Sequence, residues 1–198
     1  MDDLRAALAR HQPRIHPQRP GRQAAVAIVV RETDVALLFI ERAQRPGDPW
    51  SGHMAFPGGY VDPADADARH AAEREACEEL SLDLRSATLV GRLDDIEGSP
   101  VGRPALLVSA FVYAVAREPV LVPNHEVRNA LWVPLAWLVD PARAVPYLRA
   151  GGGTFPGIRV GDEKPQVVWG LTHHFLRSFV CVLGLEDRKS TRLNSSHT

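Results

Sequence analysis

The residues best placed to do chemistry lie in one short stretch, Arg74-Glu75-Ala76-Cys77-Glu78-Glu79. Residues 65–80 read as a helix, and Glu78 and Glu79 follow Glu75 by three and four positions, so all three carboxylates share one helical face. Stacking like charges in this way costs about 0.2–0.5 kcal/mol per pair in an isolated helix. Acidic clusters on helices usually form a solvated face. What changes the reading is the Phe56-Pro57-Gly58-Gly59 turn just upstream. Two glycines and a fixed proline φ let backbone approach a ligand closely. Hard divalent cations take carboxylate oxygens together with substrate phosphates. A glycine turn feeding a carboxylate-lined helix is therefore expected to build a metal–diphosphate site.

Other side chains that could take part have ordinary structural uses as well. His53, next to the turn, could touch substrate, or alternate with Met54 and Ala55 as a strand residue. Trp50 and Phe56 could stack on a nucleobase, although burial is the commoner use of such rings. Cys77 lies among acids that would raise its pKa, which argues against a nucleophile. His173 and His174 are adjacent on a helix, so they should point apart and form no two-histidine metal site.

The elements that must position these groups are legible in outline. Residues 1–12 suit a short helix with Leu4 and Leu8 on one side, followed by an exposed Pro/Arg-rich stretch, so residues 1–23 are expected to be a lead-in. AAVAIVV (24–30) and VALLFIE (35–41) read as strands joined by a hairpin turn at RETD. A breaker-rich loop, AQRPGDPWSG (43–52), leads to the glycine turn. Asp65 or Asp67 can cap the acidic helix, while Ala68, Ala72, Ala76 and Leu80 on its other side can pack on a sheet. Strand character returns at 87–96 and 105–115. EVRNALWVPL (126–135) looks like a strand running into a short helix, AWLVDPAR. A Gly/Pro-rich loop, GGGTFPG, precedes short strands at 157–160 and 166–169, and Leu171, Phe175, Phe179 and Leu183 give a last helix one apolar stripe. Strands interrupted by separated helices imply an α/β fold, one mixed sheet with helices on both faces.

With 198 residues and 45% apolar content the chain can close one core. No apolar run is long enough for a membrane span, and the acidic N-terminus lacks the pattern of a secretory signal. Two cysteines make no disulfide framework and point to a reducing, cytoplasmic compartment. A formal charge of −1 supplies no basic patch for a nucleic-acid polymer. DRKSTRLNSSHT (187–198) has no periodicity and resembles an in-frame translation of a sequencing-library adapter. It is expected to be an artefact, with the natural chain continuing beyond Glu186. The domain proper is then 24–186.

The stretch from Gly59 to Leu82 resembles the Nudix box, G-x5-E-x7-R-E-U-x-E-E-x-G-U with U aliphatic. Gly59, Arg74, Glu75, Glu78, Glu79 and Leu82 fall on its landmarks. Fourteen residues instead of thirteen separate Gly59 from Arg74, Asp65 or Ala66 stands where the box has its first glutamate, and Ser81 replaces its second glycine. The longer spacer, together with LLFIERA (37–43) and GHMAFPGG (52–59), resembles the coenzyme A pyrophosphatase-like branch, whose corresponding stretch reads LLTxRS…GQVAFPGG. GRLDDI, EVRNALWVPL and VWGLT continue the similarity, which covers about residues 24–185. Phe39 stands in place of that branch's threonine, and an extra residue precedes Arg42.

The resemblance implies a Nudix-type α/β/α sandwich and a Mg²⁺- or Mn²⁺-dependent diphosphatase. By the same resemblance Glu75, Glu78 and Glu79 are metal ligands, Gly59 adds a carbonyl oxygen, and Arg74 orients a box glutamate. The general base is one of these glutamates or Glu126. Arg42, Arg45, His53, Phe56 and Gly58 are the expected substrate contacts. The partner is a small nucleoside diphosphate derivative: coenzyme A or its thioesters, or another such compound such as ADP-ribose or a modified nucleoside triphosphate. A nucleotide-sensing module without catalysis is the reading from another class. A homodimer is one open assembly.

Overall fold

The computed structural model describes residues 1–17, 22–45, 50–98, 105–149, 152–161 and 166–185. The suspected artefact tail lies outside the described residues. In chain order the elements are α1 (Asp2–Arg10), β1 (Arg22–Arg31), β2 (Ala36–Arg42), β3 (Met54–Ala55), β4 (Gly58–Tyr60), α2 (Ala68–Leu80), β5 (Thr88–Arg92), β6 (Ile96–Gly98), β7 (Leu106–Val115), β8 (Val127–Pro134), α3 (Leu135–Leu138), β9 (Ala144–Leu148), β10 (Thr154–Arg159), β11 (Val167–Trp169) and α4 (Gly170–Val182).

β1 and β2 form the expected hairpin, with Val30 opposite Leu37. β1 then pairs in parallel with β7 along its whole length, and the sheet runs β3-β2-β1-β7-β5 with β4, β6 and β8 added at β1, β7 and β2. One parallel pair among antiparallel ones makes the sheet mixed, as the sequence suggests. Because side chains alternate across a strand, β1 feeds two cores. Ile28 and Val30 join Leu4, Leu8, Phe175, Leu176 and Phe179 on the face covered by α1 and α4. Ala27 and Val29 join Ala72, Ala76, Leu80, Phe111 and Tyr113 on the face covered by α2. The result is an α/β/α sandwich. Among the described residues no helix is long and apolar enough to cross a membrane.

Four expectations change. The N-terminal helix is no mere lead-in: Leu4 and Leu8 are buried in the core, and β1 begins two residues earlier, at Arg22. The helix after β8 stops at Leu138, because Pro141 closes it into a 3-10 turn, and β9 follows. β10 then starts inside the Gly/Pro-rich loop, its Pro156 opposite Pro146, and with β9 and β11 forms a second, three-stranded sheet. Finally, α4 buries Phe175, Leu176, Phe179 and Val180, leaving Leu171 partly exposed.

Candidate active site

The Phe56–Gly59 turn is fastened from below. The Phe56 ring is buried and stacks on Phe39 with centroids 4.7 Å apart, so it is a core residue and not the substrate contact expected from its position. The Pro57 carbonyl accepts the Ala27 N–H at 2.8 Å, tying the turn to β1. Gly58 and Gly59 are needed for close approach. A Cβ at Gly58, where φ is +154°, would overlap the Ala25 carbonyl oxygen, and one at Gly59 would overlap the Glu75 carboxylate.

α2 presents its acids to this turn. Its N-cap is Asp67, whose carboxylate accepts the His70 N–H at 2.8 Å. Asp65 serves another purpose. Its side chain is 1% exposed and grips Arg74 through two bonds, Nε to Oδ1 and Nη2 to Oδ2, each 3.0 Å. The guanidinium, held first by that pair of bonds, keeps Asp65 below the usual carboxylate range. Arg74 also donates to the Tyr60 carbonyl at 3.1 Å, to Glu75 Oε1 at 3.0 Å and to Glu78 Oε2 at 3.2 Å. One planar fork thus connects the loop to two box acids.

Glu79 is the most enclosed acid of the face, 2% exposed, and its Oε2 accepts the Gly58 N–H at 3.0 Å. Burial lifts its pKa to about 8, the Gly58 bond and the Arg42 charge pull it down, and Glu75 and Glu126 push it up. Glu75 is raised in the same sense, first by burial, against the pull of Arg74 and with added repulsion from Glu78 and Glu126. Glu78 is largely exposed at the rim.

Three further expected residues, Glu126, Arg45 and Arg42, converge here. Glu126 sits at the entry to β8, where its carbonyl accepts the Ala43 N–H at 2.7 Å. A bulge in the β2–β8 pairing follows at once, Arg42 opposing Val127 and Glu41 opposing Asn129. Its carboxylate pairs with Arg45 at 3.0 Å. Arg42 lies on the α2 side of β2, and its backbone N–H donates to the His53 carbonyl at 3.0 Å. His53 itself is directed elsewhere: its Nε2 is 3.3 Å from the Tyr147 hydroxyl and its ring meets Trp169 edge-on. It therefore belongs to an aromatic cluster that joins β3 to the second sheet.

Among the described residues no three acidic, histidine or cysteine side chains converge at ion-holding distances. Glu75 and Glu78 are drawn onto Arg74, Glu79 onto the Gly58 amide, and Glu126 onto Arg45. The donor set nonetheless fits a hard divalent cation. The buried Glu79 and the half-buried Glu75 carry raised pKa values and repel one another, and a cation would relieve both penalties.

The sequence reading passed over Asp65 as the holder of Arg74, for which the inserted spacer residue was the available signal. Glu41 was also missed. It is buried on β2, accepting from Gln166 at 2.7 Å and pairing with Arg128 at 3.2 Å, and no local pattern marks it.

Comparison with known proteins agrees with this architecture. A family model described as the NUDIX domain matches residues 21–150. The Nudix hydrolase NudL of Salmonella paratyphi B is 30% identical over 172 residues, covering 86% of this chain and 88% of that protein. A Schizosaccharomyces pombe protein is 36% identical over 157 residues, 68% of this chain but only 48% of its own length, so the present chain spans about half of it. A solved MutT/nudix family protein from Enterococcus faecalis superposes over 87% of this chain and 66% of its own with a TM-score of 0.54 at 15% identity, a likeness of fold. With that fold, the glycine turn and the acidic helix in register, the chain belongs to the Nudix hydrolase family.

Proposed function

We propose that this protein is a Mg²⁺- or Mn²⁺-dependent diphosphatase that attacks the diphosphate of a nucleoside diphosphate derivative with water. The observation that carries the reading is the buried Glu79 carboxylate seated on the Gly58 amide, one helical turn from a Glu75 held by Arg74. Glu75, Glu78 and Glu79 would hold the cation, with the Gly59 carbonyl as a further oxygen ligand. A bound divalent cation supplies charge neutralisation on the phosphoryl oxygens and lowers the pKa of water. Asp65 and Arg74 fix the direction of Glu75 and Glu78, so little reorganisation is left for the reacting state. Glu126 stands close enough to raise the pKa of both Glu75 and Glu79 and is a candidate to take the proton from the attacking water, once Arg45 releases it. Glu75, Glu78 and Glu79 are all present, which favours catalysis over nucleotide sensing.

Coenzyme A or an acyl-coenzyme A is the substrate we favour, cleaved to 3′,5′-ADP and (acyl-)4′-phosphopantetheine. Support comes from Arg42 and Arg45, which flank the acidic face at the end of β2 and just beyond it. Either guanidinium could read the 3′-phosphate, a dianion absent from dephospho-coenzyme A. A substrate panel with Mg²⁺, products read by mass spectrometry, tests the reaction class. Comparison of kcat/KM for coenzyme A and dephospho-coenzyme A tests the substrate. Coenzyme A should be favoured by ~10-fold or more, and Arg42→Ala or Arg45→Ala should erase the gap. Equal rates, or a better rate on ADP-ribose, would refute the coenzyme A reading and leave the chemistry standing.

A further inference from the structure

An α-helix leaves its last four carbonyls without partners inside the helix. At the end of α2, two of them are met by the segment that delivers Glu126. The Glu79 carbonyl accepts the Asn124 N–H at 2.9 Å, and the Leu80 carbonyl accepts the Val122 N–H at 2.8 Å. Both donors lie in residues 119–126, which lead from β7 to β8. Leu121 packs on the core beneath α2, while Val120 and Val122 are exposed. The path of this segment past the helix therefore depends strongly on the two backbone bonds.

Asn124 makes two more bonds. Its side-chain Oδ1 accepts the Glu126 N–H at 2.8 Å, and its carbonyl accepts the Val127 N–H at 3.2 Å. Only the side-chain oxygen can meet a backbone N–H, so the orientation of the amide is fixed by chemistry. Glu126 is held from its other side too, its carbonyl accepting the Ala43 N–H at 2.7 Å. With both backbone groups bonded, Glu126 can leave Arg45 only by turning its side chain. A plain turn into β8 would need no more than the bonds to Glu126 and Val127. The third bond, to the Glu79 carbonyl, joins the backbone of one acid of the site to that of another.

We propose that Asn124 is a positioning residue for the hydrolysis, holding Glu126 at a fixed place relative to the acidic face of α2. The proposal rests on the reading of Glu126 as the group that takes the proton from the attacking water. Such a group must lie within hydrogen-bond reach of that water, and a small misplacement costs much rate. Without the Asn124 side chain, Glu126 keeps its carboxylate and its Arg45 partner. Its N–H, however, loses its acceptor, and the entry to β8 is no longer tied through that side chain to the end of α2.

The test is a double-mutant cycle on the full chain with Mg²⁺ and coenzyme A or ADP-ribose, whichever turns over faster. Asn124→Ala should lower kcat by ~10–100-fold and change KM by less than ~3-fold. Asn124→Asp, which keeps the acceptor oxygen at the same reach, should recover most of the loss. In a Glu126→Gln background, Asn124→Ala should cost less than ~3-fold further, because the group it positions is already gone. Amide hydrogen exchange in EDTA gives a readout independent of turnover and metal: the Glu126 N–H should lose protection in Asn124→Ala and keep it in Asn124→Asp. An equal loss of kcat in both backgrounds, a wild-type kcat in Asn124→Ala, no recovery with aspartate, or unchanged protection of the Glu126 N–H would overturn the proposal alone. A Glu126→Gln protein that turns over at the wild-type rate would instead overturn the reading of Glu126 as proton acceptor, and the proposal with it.

Discussion

Replacing Glu79 by glutamine should move stability and activity in opposite directions. Glutamine keeps the shape of the side chain and an oxygen to accept the Gly58 N–H at 3.0 Å, but it cannot supply a charge to a cation. Turnover should fall by at least ~10²-fold, about 2.7 kcal/mol in barrier height. Stability without metal should rise. In the folded chain Glu79 titrates near pH 8 against an ordinary 4.5. Between those limits the folded state keeps a proton that the unfolded chain has released. Wild-type stability therefore falls as pH rises through this window and is fully lowered only above pH 8. The ceiling is about 1.4 kcal/mol per pH unit, and relaxation around the carboxylate should reduce the whole effect to about 2–3 kcal/mol. For a domain of this size that is roughly 5–10 °C in Tm. Thermal unfolding of both proteins in EDTA at pH 5.5, 7 and 8.5 measures it. The gap should be smallest at pH 5.5, only one unit above the ordinary value of 4.5, and widen with rising pH, the variant melting higher. A variant that melts lower at pH 8.5, or a gap that does not grow with pH, would refute the electrostatic account of the site.

The same account makes Mg²⁺ or Mn²⁺ stabilising: either should raise the wild-type Tm at pH 8 and leave that of Glu79→Gln almost unmoved, and EDTA should abolish turnover. Asp65→Asn should lower kcat by ~10–100-fold and raise the metal concentration needed for half-activity, because Arg74 loses its two-point anchor; unchanged metal dependence would show that Arg74 is held well enough by Tyr60, Glu75 and Glu78. Ser81→Gly should raise Tm by ~1–4 °C, since Ser81 ends α2 at φ +55° and glycine adopts that conformation without the Cβ clash, for a net gain of about 0.5–1 kcal/mol.

What the sequence disclosed was local. The β1–β2 hairpin, the acidic helix (read as 65–80, found as Ala68–Leu80) and the union of the glycine turn with three acids follow from alternation, helical spacing and backbone permissiveness, all readable within about twenty residues. Contacts that join distant segments were not readable. Phe56 looked available for substrate until Phe39 met its ring, and Glu41 carried no sign that Gln166, 125 residues on, would bond it. β9 was hidden because Pro146 and Pro156, which speak against strands, face each other across one pair.

The spacer between turn and helix shows where the two kinds of information meet. Counting alone left the first box glutamate ambiguous between Asp65 and Ala66, and left Asp65 and Asp67 as rival caps. The structure separates the roles by geometry. A cap must lie at the helix entry with an oxygen toward the third residue's amide, and Asp67 does so, accepting from His70. An anchor for Arg74 must lie where the loop passes back over the helix, and Asp65 does so with almost no exposure. Its carboxylate is further fixed by the Asp62 N–H at 2.8 Å, so the loop holds the acid before the acid holds the arginine. An aspartate reaches one methylene less far than a glutamate. The extra residue in the spacer gives the loop the slack to bring that shorter side chain up to the guanidinium. The insertion and the shorter acid are then one compensated change, and Asp65→Glu alone should restore less activity than wild type while Asp65→Glu with one spacer residue deleted should recover more. If the double change is no better than the single one, the loop and the acid are not coupled in this way.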